Sequence, residues 1–291
     1  MKIFHHNDND GKAAAAIIYR SFKRQGLILD KDDFISVNYN DSIPTADQIQ
    51  DNDVVVIVDY SFTEATVHNL YEISKKANRQ VWWYDHHKSS LEVLDKVIED
   101  KICKDVIVDM DRSGAKIVYD KYAKYNTSEY VDNIIKLVDD YDRWIHQYPE
   151  SMWFNIGSTM EDTHPTSDTW INDPVKIIEN GKLIKEYNDA KNSKLVKDNG
   201  YEITINNHKC IVLNSPERIS QAFAEYFDEY KFAIIWSFNG KNFTHSIYSQ
   251  LEDVDCAKIA EHFNPTGGGH KGAAGFVSDK IIFVKGLEFV I

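Results

Sequence analysis

The stretch His6-Asn7-Asp8-Asn9-Asp10-Gly11 sets one imidazole and two carboxylates at intervals of two. Side chains two apart on an extended segment point the same way. His6, Asp8 and Asp10 therefore converge on one side, and Gly11 allows a tight turn into the next element. Alone, the stretch reads more readily as a polar turn before a helix. Two other stretches tilt the balance. Asp59 closes the apolar run that begins at Asp53, and Asp85-His86-His87 follows Val81-Trp82-Trp83-Tyr84 without a break. A fourth group, Asp139, Asp140 and Asp142, sits just before Trp144. Carboxylates gathered this closely repel and raise one another's pKa unless a cation lies among them. Carboxylate oxygen and imidazole nitrogen, with no thiolate, suit Mn²⁺ or a similar ion better than structural zinc. The number of donors suffices for two ions roughly 3.5–4 Å apart that share a carboxylate, an arrangement used for phosphoryl hydrolysis.

These groups meet only if the elements carrying them line up. Residues 2–6 read as a short strand, and 11–26 as a helix ending at Gly26. The β-branched run 53–60 reads as a parallel strand buried on both faces. An amphipathic helix is expected over 63–78, with Thr63 as its cap. Strands follow at 80–85 and 105–111, then a helix capped by Ser113 and another over 130–144. Strands alternating with helices predict an α/β domain around a parallel sheet, whose sites form outside the carboxyl ends of the strands. Residues 171–200 read as one long polar helix, with Asp173 at the cap and Pro174 at the first helical position. Beyond it the pattern becomes α+β. Asn239-Gly240 between two β-rich runs predicts a type I′ hairpin, a helix is expected over 255–264, and the end, 280–291, reads as strand. The expected domains are residues 1–185 and 200–291, with 186–199 the end of the linking helix.

The bulk numbers narrow the function. A net charge of −13 over 291 residues is wrong for gripping long nucleic acid, whose binding is driven by phosphate neutralisation. Any nucleic-acid substrate should be short. Cys103, Cys210 and Cys256 show no C-x-x-C spacing, which points to a reducing, cytoplasmic setting and no disulfide framework. No apolar run approaches the ~18–20 residues of a membrane span. The amino terminus turns polar by His5, so no secretory signal is expected.

Taken together and in order, five motifs resemble those of the DHH/DHHA1 phosphoesterase family, closest to its nano-RNase (oligoribonuclease) branch. They are His6 to Gly11, Val58-Asp59-Tyr60-Ser61, Asp85-His86-His87-Lys88-Ser89, Val138 to Trp144, and Gly267 to Phe276. The resemblance implies a parallel-sheet DHH domain and a smaller α+β, DHHA1-like carboxy-terminal domain across a cleft. It implies one metal ion on His6, Asp8 and Asp59, and a second on Asp10, Asp59, His86 and Asp142. Asp139 is the alternative to Asp142. Asp85 supports the site, and His87 faces the scissile phosphate. The glycine motif, through Gly268, Gly269 and His270, is expected to hold the far end of a short nucleotide. Many family members carry Ser-Leu-Arg-Ser on the preceding strand. Here the stretch is Ser246-Ile247-Tyr248-Ser249, so Tyr248 replaces a phosphate-gripping arginine and is expected to stack on a base. Arg112, after a strand end on the site side, is either part of a helix cap or a further substrate contact.

The implied activity is two-metal hydrolysis of short oligoribonucleotides to mononucleotides with two divalent ions, Mn²⁺ expected. Long duplexes and membranes are not expected partners, and a homodimer is left open. The alternatives are a phosphatase or phosphodiesterase on small nucleotides, such as 3′-phosphoadenosine 5′-phosphate or a cyclic-dinucleotide product, and a catalytically silent nucleotide-binding regulator. A family-II-like pyrophosphatase shares the metal half, but the glycine motif argues against it.

Overall fold

The computed structural model describes residues 1–38, 54–61, 69, 72, 80–123, 128–217, 219–286 and 288–289. The helix expected over 63–78 lies, but for two isolated positions, outside them. The chain divides into two compact units, Met1–Lys185 and Glu186–Ile291.

The first unit is built on five parallel strands. These are β1 (Lys2–His6), β2 (Phe34–Val37), β3 (Val54–Val58), β4 (Gln80–Asp85) and β5 (Asp105–Val108), in the order β2-β1-β3-β4-β5. The described helices are α1 (Asn9–Lys23), α2 (Leu91–Glu99), α3 (Gly114–Tyr122), α4 (Glu129–Asp142) and α5 (Pro149–Gly157). Alternate strand residues serve opposite cores, which explains the unbroken apolar runs. Val56, Val58 and Tyr84 pack with α1, α3, α4 and α5, whereas Val55, Ile57, Val81 and Trp83 pack on the other face with Val93 and Val97 of α2. Ala13 to Ala16 are all buried, so α1 packs closely into the core. Trp83 is fully buried and its indole N–H donates to the Tyr60 carbonyl at 3.0 Å. Truncating such a side chain costs roughly 3–5 kcal/mol, so it fixes the strand that ends in Asp85.

Strand register does the positioning. His5 pairs with Val58, and Val58 with Tyr84. The next residues, His6, Asp59 and Asp85, therefore stand in one rank across three neighbouring strands. The order also puts a reversal of direction between β1 and β3, where open parallel sheets place their ligands.

Local chemistry sets the boundaries. α1 starts two residues earlier than expected, because Asp8 is its cap and accepts from the Gly11 amide at 2.9 Å. Ser113 caps α3, accepting from the Lys116 amide at 3.3 Å. The strand expected over 105–111 ends at Val108, and Asp109 instead turns the chain by accepting from the Asp111 amide at 2.8 Å. β2, α2 and α5 were not expected from the sequence.

The long helix α6 (Val175–Asn199) carries the chain into the second unit. There β6 (Tyr201–Ile205), β7 (His208–Asn214), β8 (Phe232–Phe238), β9 (Phe243–Tyr248), β10 (Gly268–His270), β11 (Ala273–Ser278) and β12 (Glu288–Phe289) form a mixed sheet, ordered β10-β11-β9-β8-β7-β6-β12. α7 (Cys256–Phe263) packs on one face. The fold is thus α/β with a smaller α+β unit. Only Glu288–Phe289 of the terminal strand-like run pairs within the described residues. The type I′ turn lies elsewhere than expected. Such a turn needs positive φ at both central residues. Asn206 and Asn207, at +48° and +62° between β6 and β7, satisfy this. At the expected hairpin only Gly240 is positive, and β8 and β9 pair no further than Phe238 with Phe243. Asn239 fills that loop, its side chain accepting from the Lys241 and Asn242 amides at 3.0 and 2.8 Å. Among the described residues no helix is long and apolar enough to cross a membrane.

Candidate metal centre

Three overlapping groups of ligand-type side chains meet at the carboxyl ends of β1, β3 and β4. They are His6, Asp8 and Asp59; Asp59, His86 and His87; and Asp10, His86 and Asp142, the donor atoms of each group lying within 4.8 Å of one another. Asp59 and His86 each belong to two. His86 Nε2 lies 3.1 Å from Asp59 Oδ1, 3.3 Å from Asp142 Oδ2 and 3.7 Å from Asp10 Oδ2. His6 Nδ1 lies 2.6 Å from Asp8 Oδ2 and 3.7 Å from Asp59 Oδ2.

Each acid is positioned by backbone. Asp59 leaves β3 with φ +54°, a conformation costing of order 1–3 kcal/mol that aspartate tolerates better than most residues. Its amide donates to the Tyr84 carbonyl at 2.9 Å. Asp10, in the first turn of α1, accepts from the amides of Gly114 and Ala115 at 2.6 and 2.9 Å, so the start of α3 holds it. Gly114 is needed there, since a Cβ would stand 2.7 Å from Asp59 Cβ. Asn9 anchors the same turn from its other side, donating to Asn155 Oδ1 at 2.7 Å and Ser158 Oγ at 2.8 Å.

Asp139, Asp140 and Asp142 have separate tasks. Asp142 joins Asp10 and His86. Asp139 accepts from the Ser113 amide at 2.7 Å. Asp140 is buried and accepts from the Gln147 and Tyr148 amides at 2.9 and 3.3 Å. The chain doubles back after α4 and covers it. His5 is buried on the side away from His6, its Nδ1 2.8 Å from the His6 carbonyl.

Burial and mutual repulsion shift these groups from their ordinary ranges. Burial pushes the Asp59 carboxyl well above its usual range, and Asp10 adds to this. Burial also raises Asp10, with a contribution from Asp8. Asp142 is pushed up to about 8, by burial first and Asp10 second. His6, beside the Asp59 carboxylate and bonded to Asp8, is held at about 10. Burial alone would raise Asp8, but its bond to His6 brings it down to about 2. Asp59 Oδ2 and Asp142 Oδ2 are buried with no hydrogen-bond partner among the described residues. Orphaned carboxylate oxygens beside imidazole nitrogens fit divalent cations of the Mn²⁺ type.

A pH dependence follows. Asp142 and His6 both have folded pKa values raised above their unfolded ones, so the stability they contribute is lost as pH rises. Asp142 loses it between about pH 4 and 8 and His6 between about pH 6.5 and 10, so both are losing it between 6.5 and 8. Over the same range Asp142 sheds a proton that competes with a cation. The melting temperature with EDTA should therefore fall from pH 6.5 to 8, and the increment on adding Mn²⁺ should grow. Thermal melts at the two pH values check this; an increment that shrinks contradicts it.

Asp85, fully buried, does not face the cluster as a donor. Its Oδ1 receives His87 Nδ1 at 2.7 Å, and its Oδ2 receives the Ser90 hydroxyl. A carboxylate can only accept, so this puts the proton of His87 on Nδ1. Asp85→Asn is expected to cut kcat about ten- to 100-fold while Mn²⁺ still binds. Steady-state kinetics beside a Mn²⁺ titration check it, and an unchanged kcat would remove Asp85 from the machinery.

The remaining candidates are not members of these ligand groups. In the second unit Tyr248, Gly268 and Gly269 line a cavity of about 430 Å³ with Thr244, Ser246 and Thr266. Gly268 has open space at its missing Cβ, whereas a Cβ on Gly269 would meet the Ala273 carbonyl at 2.6 Å. The motif is thus a hairpin, β10 paired with β11, with Gly267, Gly269 and Gly275 there for packing. His270 is exposed on that hairpin and does not line the cavity. Arg112, in the first unit, is held by Asp109 and Asp120 at 2.8 and 3.0 Å. Sequence reasoning missed Ser90, Gly114 and the Asn9–Asn155 link. Ser90 could have been found, lying five residues after Asp85, but the other two depend on contacts between distant segments.

No protein-family model and no curated protein matches the sequence. Solved structures do. The pGpG-specific phosphodiesterase PggH from Vibrio cholerae is 14% identical with a TM-score of 0.58, over 96% of this chain and 93% of that one. An uncharacterised protein from Helicobacter pylori G27 is 16% identical with a TM-score of 0.46, over 98% and 95%. RecJ from Thermus thermophilus, in complex with Mn²⁺, is 14% identical with a TM-score of 0.47, over 96% of this chain and 49% of RecJ. The chain thus shares the fold of the Vibrio phosphodiesterase along nearly its whole length.

Proposed function

We propose that this chain is a metal-dependent phosphodiesterase of the DHH/DHHA1 type that hydrolyses short oligoribonucleotides to mononucleotides. The observation that carries the reading is the set of three overlapping ligand groups with two orphaned carboxylate oxygens. His6, Asp8 and Asp59 would hold one cation, and Asp10, Asp59, His86 and Asp142 a second, Asp59 being common to both. Divalent cations bound there would supply an activated water and neutralise charge on the phosphate. Asp85 orients His87, which would face the scissile phosphate. In the second unit, Tyr248 and Gly268 offer an aromatic face and accessible backbone to a nucleotide. A net charge of −13 favours a short substrate.

A second reading, action on a small nucleotide, is favoured by the name of the Vibrio structure. pGpG is a linear dinucleotide and falls at the short end of the same substrate class. Incubation with Mn²⁺ and labelled RNAs of two to five nucleotides, pGpG and 3′-phosphoadenosine 5′-phosphate separates the readings. Mononucleotide release from the whole RNA series supports the first, and release from one small nucleotide alone supports the second. No release from any of them would sink both.

A further inference from the structure

Trp144 stands where a folding protein has no use for it. It is 77% exposed, while the other five tryptophans are buried or half-buried. Its φ is +54°, and that of His146 is +52°. This region of backbone space is disfavoured for bulky residues and usually filled by glycine or asparagine. An indole there keeps a large apolar surface in water and strains the chain as well.

The surroundings hold it in that position. The Trp144 amide donates to the Tyr141 carbonyl at 3.1 Å, and the Asp140 carbonyl accepts from Ile145 and His146 at 3.0 and 3.4 Å. The buried Asp140 carboxylate takes the next two amides, those of Gln147 and Tyr148. His146 packs edge-to-face on Trp144, with centroids 5.0 Å apart, and on Tyr141 at 5.8 Å. The loop is therefore shaped by a dedicated carboxylate and an aromatic brace, and it starts two residues after Asp142, a member of the metal centre. Strain maintained by surrounding structure beside a reactive site is a mark of function.

Resting on the phosphodiesterase reading, we propose that Trp144 is a stacking platform for a nucleobase of the substrate, braced by His146. The required ligand is flat, aromatic and attached to the phosphate bound next to Asp142, which describes a nucleotide base. Stacking on a π face tolerates every base, so Trp144 sets affinity and placement without setting sequence.

The test uses the full chain and the variants Trp144→Ala and Trp144→Phe. A dinucleotide carrying 2-aminopurine is titrated with Ca²⁺ in place of Mn²⁺ to suppress turnover, and its fluorescence reports stacking. The wild type should quench it. Trp144→Ala should bind about 5- to 150-fold more weakly, with phenylalanine recovering part of the loss. With Mn²⁺ the loss should appear in KM, with kcat changed less than about threefold, and an abasic analogue should bind all three proteins alike. Unchanged binding by Trp144→Ala, or an equal loss on the abasic analogue, overturns the proposal. If the wild type cleaves no oligonucleotide the phosphodiesterase reading fails, and the quenching titration still decides whether Trp144 stacks. The side chain is solvent-exposed, so an unaltered melting temperature confirms that the variants are folded.

Discussion

Asp59→Asn is expected to lower kcat at least about 10³-fold and to leave the metal-free protein as stable as the wild type at pH 8, or more so. Asp59 is common to two ligand groups, His6 and Asp8 on one side and His86 and His87 on the other. Asparagine fills the same space and tolerates the +54° backbone, so the fold has no reason to change. What disappears is a charged oxygen. In the metal-free protein that charge is a burden, because burial and Asp10 hold the carboxyl far above its ordinary range. An acid with a raised folded pKa contributes stability that is lost as pH rises, and the amide, which mimics the protonated acid, keeps it. The variant's melting temperature in EDTA should therefore fall less between pH 6.5 and 8 than the wild type's. A variant that still turns over within tenfold of wild type would mean that Asp59 is not shared by the catalytic ions. A variant that melts earlier in EDTA at pH 8 would mean that the carboxylate is structural.

The residues that converge were legible because their spacing and strand-end positions are local properties. Period two aligns His6, Asp8 and Asp10, and apolar runs announce Asp59 and Asp85 at their carboxyl ends. What local pattern could not show is that β1, β3 and β4 are neighbours. That depends on β2, a four-residue strand too short to announce itself, taking the far side of β1. The burial of Asp140 is hidden from the sequence for a related reason. Its helix presents a polar face there, and only the return of residues 145–148 over that face buries it. The hairpin shows local signals competing with tertiary order. Asn239-Gly240 has the favoured composition, yet the paired register leaves a four-residue loop, while the less conspicuous Asn206-Asn207 makes the tight turn.

Gly114 is the sharpest case of a residue whose role is tertiary, and Gly114→Ala is expected to cut kcat at least about 100-fold. In sequence it is the first residue of a capped helix, where alanine should be an improvement. In the fold its missing Cβ is the space into which Asp59 and Asp10 pack. A methyl group would stand 2.7 Å from Asp59 Cβ and 3.0 Å from Asp10 Oδ2. Asp59 has little freedom to yield, with its amide bonded to the Tyr84 carbonyl. The start of α3 must retreat instead, taking the amides of Gly114 and Ala115 away from the Asp10 carboxylate that they hold at 2.6 and 2.9 Å. Overpacking of this kind costs roughly 1–3 kcal/mol, and a buried carboxylate without its donors adds a similar amount. Gly26→Ala separates the two effects. Gly26 has φ +87° and open space around it, so alanine there strains the backbone far from the centre. That variant should melt earlier with an unchanged kcat, whereas Gly114→Ala should lose activity and Mn²⁺ affinity beyond what its melting temperature explains. If both variants keep kcat within about threefold, the packing of α3 against Asp10 does not shape the metal centre.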